Sequence, residues 1–454
     1  MALAVIFTVG LAGCTNATRH PATHPRPVVT TGSLSGDGEV VVISRGQLVL
    51  IGASGAHERI GGPGQARQPE WSADGDWVAY LRAPPPPASE PYAMQTARLW
   101  VVRSDGTDAH ALSAAGRRVE DFVWDPAARS ARLAYTVAGA DANGGTSLPE
   151  GLLVQGPTSS AAERLLGSAN VLSFAWSPSG RQLAADAIVG STPHSSLEVV
   201  PLDSVAAQTV FRSPGNDMHV ASWWPDGKGI VFWLDYDGSS SIAADGLPLM
   251  SLNLATGRAT RLATTLVHAK WLAWSPDGKT LALVAGGDRS LWDDAKHVEL
   301  CTIASAKCAS IGQRGGQMTL EPAWEPDGRL VVVRAPGTAA NTLGPPPGVP
   351  HPNLDVPYGA QAVSAWYGAQ RLWATSATGS DAQLVSAAGP GAHTPTATSH
   401  GLIYVRQDGL WYLPHGARIP VQIAAGLGAP GAEGMSYYGY VAWSSDYAWH
   451  SLPG

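Results

Sequence analysis

Trp274-Ser275-Pro276-Asp277-Gly278, followed at once by Thr280-Leu281-Ala282-Leu283-Val284, decides the fold. Pro presets φ, Asp can hydrogen-bond the nearby backbone, and Gly accepts φ > 0, so the first five residues read as a tight turn. The Trp ends the strand that enters the turn, and the aliphatic run after it is the strand that leaves. The pattern recurs at Trp71-Ser72-Ala73-Asp74-Gly75, Trp176-Ser177-Pro178-Ser179-Gly180 and Trp324-Glu325-Pro326-Asp327-Gly328. Looser copies stand at Trp124-Asp125-Pro126 and Trp223-Trp224-Pro225-Asp226-Gly227. Successive tryptophans are about 50 residues apart, the length of a four-stranded propeller blade.

Each unit continues with a third strand, such as Arg98-Leu99-Trp100-Val101-Val102, and a short fourth, such as Thr260-Arg261-Leu262. One such unit cannot bury both faces of its sheet, so units must stack around an axis. Weaker copies flank the six. Leu34-Ser35-Gly36-Asp37-Gly38 precedes Val40-Val41-Val42-Ile43, and Ala397-Thr398-Ser399-His400-Gly401 precedes Leu402-Ile403-Tyr404-Val405. The expectation is an all-β propeller of four-stranded antiparallel blades over residues 34–454, with eight blades favoured and seven the alternative. Tyr440-Val441-Ala442-Trp443-Ser444-Ser445-Asp446 reads as a first strand with no blade after it. Pairing it with the N-terminal unit would close the ring and remove exposed strand edges.

The motif and its spacing resemble the TolB-like propeller repeat family. The resemblance implies the fold and is nearly silent on function, because such repeats serve many roles. On this reading Trp71, Trp124, Trp176, Trp223, Trp274 and Trp324 are packing residues. Asp74, Asp226, Asp277 and Asp327 are turn residues, not a ring of catalytic carboxylates.

Composition suits this architecture. The chain of 454 residues has 52 Gly and 35 Pro for its turns, and its 44% hydrophobic content with 17 Trp argues against disorder. A net charge of −7 with no Lys/Arg run excludes a nucleic-acid binder. The apolar stretch from Ala2 to Leu11 is too short to span a bilayer and has the length of a signal-peptide core. It ends in Leu11-Ala12-Gly13-Cys14, which resembles the bacterial lipoprotein signal, although no Lys or Arg precedes it. That resemblance implies a signal over residues 1–14, lipidation of Cys14, and an extracytoplasmic chain anchored to the bacterial cell membrane by lipid. Residues 15–33, with Pro21, Pro25 and Pro27, read as a flexible tether.

Catalytic motifs are not found. There is no Gly-x-Ser-x-Gly, as a serine hydrolase would carry. Gly278-Lys279-Thr280 imitates the end of a phosphate-binding loop, but Ala273 stands where that motif needs its first Gly. Asp235-Tyr236-Asp237-Gly238 lacks the downstream acids of a calcium loop. His219, His268 and His400 lie near first strands, where they could face the axis with a metal; partly exposed strand ends are the plainer reading. No cofactor and no metal are expected. Cys301 and Cys308 flank Ala304-Ser305-Ala306-Lys307 on neighbouring strands of a hairpin, as disulfide partners or as two buried thiols. Residues 336–363 and 83–95 read as long loops, tolerated or functional. The aromatic C-terminus (Tyr437, Tyr438, Tyr440, Trp443, Tyr447, Trp449) suits closure packing or an interface. The functional expectation is a non-enzymatic, monomeric interaction module binding a protein or peptide. The alternative is a carbohydrate- or peptide-processing or binding protein that uses the central funnel, with a metal as an option.

Overall fold

The computed structural model describes residues 34, 38–52, 55, 57–60, 65–84, 97–127, 131–139, 151–167, 169–189, 194–203, 206–236, 246–287, 290–311, 315–339, 360–379, 381–427 and 446–451. Among them the strands form eight four-stranded antiparallel sheets, the blades of a propeller. Blades 2, 4, 5, 6, 7 and 8 run in chain order from the axis outward, beginning with Gln65–Trp71, Asn170–Trp176, Asp217–Trp223, Leu272–Trp274, Gln317–Trp324 and Ala392–Ala397 respectively. Blade 3 does the same from Arg117–Trp124. Blade 1 alone is composite. Its innermost strand is the C-terminal Tyr447–Ser451, which pairs antiparallel with Gly38–Ser44 in the register Val42↔Tyr447 to Gly38↔Ser451. The ring is therefore closed by the C-terminal strand. That strand lies just beyond the stretch 440–446 that the sequence suggests, of which only Asp446 belongs to the described residues.

The repeated turn does what its residues dictate. Ser275 Oγ donates to Asp277 Oδ1 at 2.6 Å, and Lys279 N–H donates to the same oxygen at 3.1 Å. Asp74, Asp226 and Asp327 accept equivalent backbone bonds from Asp76, Lys228 and Arg329. Gly180 has φ +66, and a Cβ there would fall 2.1 Å from Asp125 Oδ1 in the adjacent blade, so only Gly fits. The divergent turn of blade 3 compensates in its own way. Asp125 accepts two bonds from Arg132, whose guanidinium also reaches the Gly180 carbonyl at 2.8 Å.

The tryptophans tie the blades together. Trp124 Nε1 donates to Glu70 O at 3.0 Å, Trp176 to Val123 O at 3.0 Å, and Trp223 to Ala175 O at 3.0 Å. Trp324 bonds Ala273 O at 3.0 Å, Trp71 bonds Ala448 O at 3.1 Å, and Trp274 bonds the Ser222 hydroxyl at 3.2 Å. In every case the acceptor residue immediately precedes a tryptophan of the preceding blade. The ladder thus crosses six of the junctions. Blade 8 has Ala397 at this position, and there Tyr447 takes over. Its hydroxyl donates to Thr394 O at 2.9 Å and pairs with Thr396 Oγ1 at 2.8 Å. The core is correspondingly divided into apolar slabs between adjacent blades, such as Met218, Trp223, Phe232 and Leu197 between blades 4 and 5.

The single α-helix among the described residues, α1 (Ala360–Ala369), ends the long connection between the second and third strands of blade 7. Residues 360–363, read from the sequence as loop, belong to it. Ala362, Val363, Trp366 and Tyr367 share one face and are buried, and Trp366 Nε1 donates to Pro336 O at 2.8 Å. Trp176→Phe keeps the ring and removes one inter-blade donor, so it is expected to cost about 1–3 kcal/mol in denaturant unfolding. Truncation after Asp446 is expected to lower the melting temperature far more, because it opens the ring. An unchanged melting curve for the truncated chain would refute closure as a source of stability.

Candidate functional site: the axial channel and its loop face

Antiparallel order fixes which connections share a face. Those from first to second strand and from third to fourth leave on one face; those from second to third leave on the other. The first face carries the repeated tight turns. The second carries the connections 84–97, 140–151, 189–195, 236–246, 286–296 and 337–370, and also the segment 426–446 that leads into the closing strand. Blades 1 and 8 are exceptions, with two-residue hairpins at Arg45-Gly46 and Gln407-Asp408. Parts of this loop face interlock. Asp294 N–H donates to Thr338 O at 2.8 Å and Thr338 N–H to Trp292 O at 2.7 Å, which joins blade 6 to blade 7. Lys296, fully buried, donates its ammonium to the Ser290 carbonyl.

The axial wall is built from the innermost strands, and six of these are bulged. Register shifts fall between Arg67 and Glu70, Val119 and Asp121, Val171 and Ser173, Val220 and Ser222, Leu320 and Ala323, and His393 and Thr396. A bulge leaves a backbone N–H without its ladder partner. Two of these are captured across the blade gap. Val220 N–H donates to Ser173 Oγ at 2.7 Å, and Thr394 N–H to Glu321 Oε2 at 2.5 Å. Gln68, Glu321 and Thr394 occupy the left-handed region at φ 49°, 51° and 50°, which disfavours side chains other than glycine. Backbone held in this way is commonly retained where a side chain must be aimed.

Several carboxyls on this wall are pushed toward neutrality. Removal from water raises Glu70 from its ordinary 4.5 to about 7; the Lys270 ammonium opposes the rise and Asp121 adds to it. Asp121 itself is exposed to solvent, so its shift is the smaller of the two. Desolvation raises it to about 6 against the Phe122 N–H bond and the Lys270 charge. Lys270 belongs to blade 6, while Glu70 and Asp121 belong to blades 2 and 3, so its charge acts on theirs across the ring. Burial raises Glu321 to about 7 against its bonds to Thr394, and Asp446 to about 7 against Arg67.

A second group lies where blades 4 and 5 meet. Asp186 is fully buried, and desolvation pushes its carboxyl well up against the Ser195 hydroxyl, with Asp217 adding to the rise. Ser195 N–H donates to Asp217 Oδ1 at 3.0 Å, and His194 Nδ1 stands 3.9 Å from that oxygen. His219 Nε2 is 3.7 Å from Asp235 Oδ2, and burial lowers its pKa despite that carboxylate. On the far side of the ring His393 is buried against Tyr367 of α1, ring centroids 4.9 Å apart, and desolvation lowers it to about 3. It is a neutral packing residue.

The histidines singled out in the sequence do not form one constellation. His219 is on the innermost strand of blade 5, and His268 precedes that of blade 6, its ring tilted against Trp271 with centroids 4.8 Å apart. His400 lies in the turn between the first two strands of blade 8, on the opposite face. The turn aspartates Asp74, Asp226, Asp277 and Asp327 are likewise on the turn face, away from the loop-face mouth. Cys301 and Cys308 are cross-strand partners joined as a disulfide, with Cα atoms 4.0 Å apart. Cys14 and the tether 15–33 lie outside the described residues, as do Tyr437, Tyr438, Tyr440 and Trp443. Sequence reasoning missed Glu70, Asp121, Lys270, Glu321 and Asp186, because none stands in a motif. A charged residue just before a motif Trp, as at Glu70, was the signal available.

Several solved structures align with this chain. Prolyl oligopeptidase B from Galerina marginata aligns with a TM-score of 0.51 and 9% identity, over 80% of this chain and 51% of that one. TolB from Acinetobacter baumannii aligns with a TM-score of 0.38 and 10% identity, over 62% of this chain and 64% of that one. A puromycin-hydrolyzing peptidase from Mycobacterium tuberculosis aligns with a TM-score of 0.49 and 11% identity, over 88% and 56%. The chain thus spans less than two thirds of the length of each of these three proteins. No protein-family model and no curated protein matches the sequence.

The wall carboxyls make a signed prediction. Glu70 and Glu321 keep their protons to about pH 7 when folded and lose them near their ordinary 4.5 when unfolded. Between these values the folded chain holds more protons, so stability falls as pH rises through that window and levels off above it. Melting temperature is expected to drop from pH 5 to pH 8, and Glu321→Gln to flatten the slope. A melting temperature that rises over this range would contradict the assignment.

Proposed function

We propose that the chain is an exported, membrane-tethered propeller that engages a protein or peptide partner at the mouth of its axial channel on the loop face. The inequality of the two faces carries this reading. On the turn face the polar groups of the repeat are consumed by their own turns, as the Ser275–Asp277–Lys279 bonds illustrate. From the opposite ends of the blades leave the long connections between second and third strands, and binding sites on rigid scaffolds are commonly built from such loops. Among the described residues no helix is long and apolar enough to cross a membrane. The proposed tether is acylation of Cys14, at the end of Leu11-Ala12-Gly13-Cys14. Acyl chains contribute about 0.8 kcal/mol per buried CH₂, and two of them anchor stably.

One observation favours the funnel as a binding or processing site for a peptide or carbohydrate instead. Carboxyls titrating near neutrality, such as Glu70 and Glu321, are suited to general acid–base work. Discrimination is direct: Glu70→Gln would abolish turnover under that reading and leave partner capture intact under the first.

Cross-linking on intact membranes, read by mass spectrometry, tests the main proposal. Cross-links are expected from 84–97, 236–246 and 337–359, and their confinement to the turn face would defeat it. Cys14→Ala is expected to move the protein from the membrane to the soluble fraction. Retention of the variant on membranes would show that something other than the lipid holds it.

A further inference from the structure

The outer half of blade 6 carries a chemistry unrelated to the axis. His297, Glu299 and Cys301 alternate along the third strand, His297–Thr302, and so share one face of the sheet. Cys308, on the outermost strand Lys307–Ser310, stands directly opposite Cys301. The Glu299 carboxylate and both sulfurs lie within 4.8 Å of one another. His297 approaches from the same side. Its Nε2 is 3.2 Å from Glu299 Oε1, and its Nδ1 is 2.7 Å from the Ala295 carbonyl. A carbonyl only accepts, so Nδ1 carries a proton, and a proton on Nε2 would bridge to Glu299. This is also the orientation of a metal-binding imidazole, with one nitrogen pinned by a carbonyl and the other aimed at the ligand set. Cys301 is fully buried, while Cys308, Glu299 and His297 are half-buried, so the pocket is shielded yet reachable from the surface.

While Cys301 and Cys308 are joined, neither sulfur is a thiolate, and thiolates are what a metal needs. We propose that reduction of this disulfide creates a zinc-type site, with both thiolates and the Glu299 carboxylate as ligands and the fourth position turned toward His297. Zinc takes sulfur at about 2.3 Å and oxygen at about 2.0–2.2 Å, so a tetrahedron sets neighbouring ligand atoms about 3.5–3.8 Å apart. The existing separations need only ångström-scale adjustment once the sulfur–sulfur bond has opened. A dithiol supplies the two electrons and two protons and closes to its own cyclic disulfide, leaving two protein thiols. Zinc then displaces both thiol protons, and the borderline-soft ion suits a mixed sulfur–oxygen set. The strand pair Glu299–Ser310 and Cys301–Cys308 would be held by a covalent bond in one state and by a metal in the other.

The test uses the full chain, oxidised or reduced with a water-soluble trialkylphosphine. The phosphine becomes its oxide, with water supplying the oxygen and both thiol protons. After zinc addition and desalting, elemental analysis is expected to find about one zinc per reduced chain and none per oxidised chain. Cobalt substitution is expected to give a thiolate-to-metal charge-transfer band in the reduced form only. Glu299→Gln is expected to weaken zinc binding at least about tenfold while leaving the melting temperature of the oxidised form unchanged. Zinc retained equally by the oxidised chain, no zinc on the reduced chain, or undiminished affinity in Glu299→Gln would each overturn the proposal.

Discussion

The ring depends on one hydrogen bond made repeatedly, from the indole N–H at the end of an innermost strand to the residue just before the preceding blade's tryptophan. Trp176 illustrates what the bond does. Its ring is buried in the gap between blades, and its single donor is spent on Val123 O. Apolar packing between flat sheets is non-directional and would tolerate sliding. A donor that must meet one particular carbonyl fixes the stagger of each blade on the last. The tight turn that follows is part of the same device, because it reverses the chain at once and holds the tryptophan at the strand end.

Departures from the ladder are informative. Blade 6 replaces the carbonyl with the Ser222 hydroxyl, a tolerable change because the donor is still satisfied. Blade 8 has lost the tryptophan altogether. Its junction with blade 7 is carried by Glu321 reaching the Thr394 N–H, and its junction with blade 1 by the Tyr447 hydroxyl. Tyr447 is fixed in the non-covalent seam that closes the ring. Burial pushes its phenol upward, so it stays a neutral donor there.

Much of the fold was legible because its signals are local. Pro, Asp and Gly at fixed offsets specify a turn whatever surrounds them, and a spacing of about 50 residues specifies a blade. The closing strand was harder. Trp443-Ser444-Ser445-Asp446 imitates the motif, yet Trp449 holds the place of the ladder tryptophan, since Trp71 bonds the carbonyl of Ala448. Pairing with Val40 and Val42 decides that register, and those residues lie at the other end of the chain. The axial charges were not legible at all. Lys270 influences Glu70 only because blade 6 faces blade 2 across the ring. No spacing rule records that meeting.

The repeat and the site are therefore written in different residues of the same strands. Residues immediately around each motif Trp are committed to neighbours: the indole to the preceding blade, the Ser and Asp to the turn. Positions a few residues earlier lie before or within the bulge and are free of the repeat. There the chain places Gln68, Asp121, Ser173 and Glu321 in different blades, and it places Lys270 in the short 3-10 turn that precedes the unbulged first strand of blade 6. A scaffold repeated around an axis makes these positions converge whatever their identity, so each blade can vary one wall residue without disturbing the ladder. The cost is that acids brought together there lose hydration. Their raised affinity for protons follows from that lost hydration.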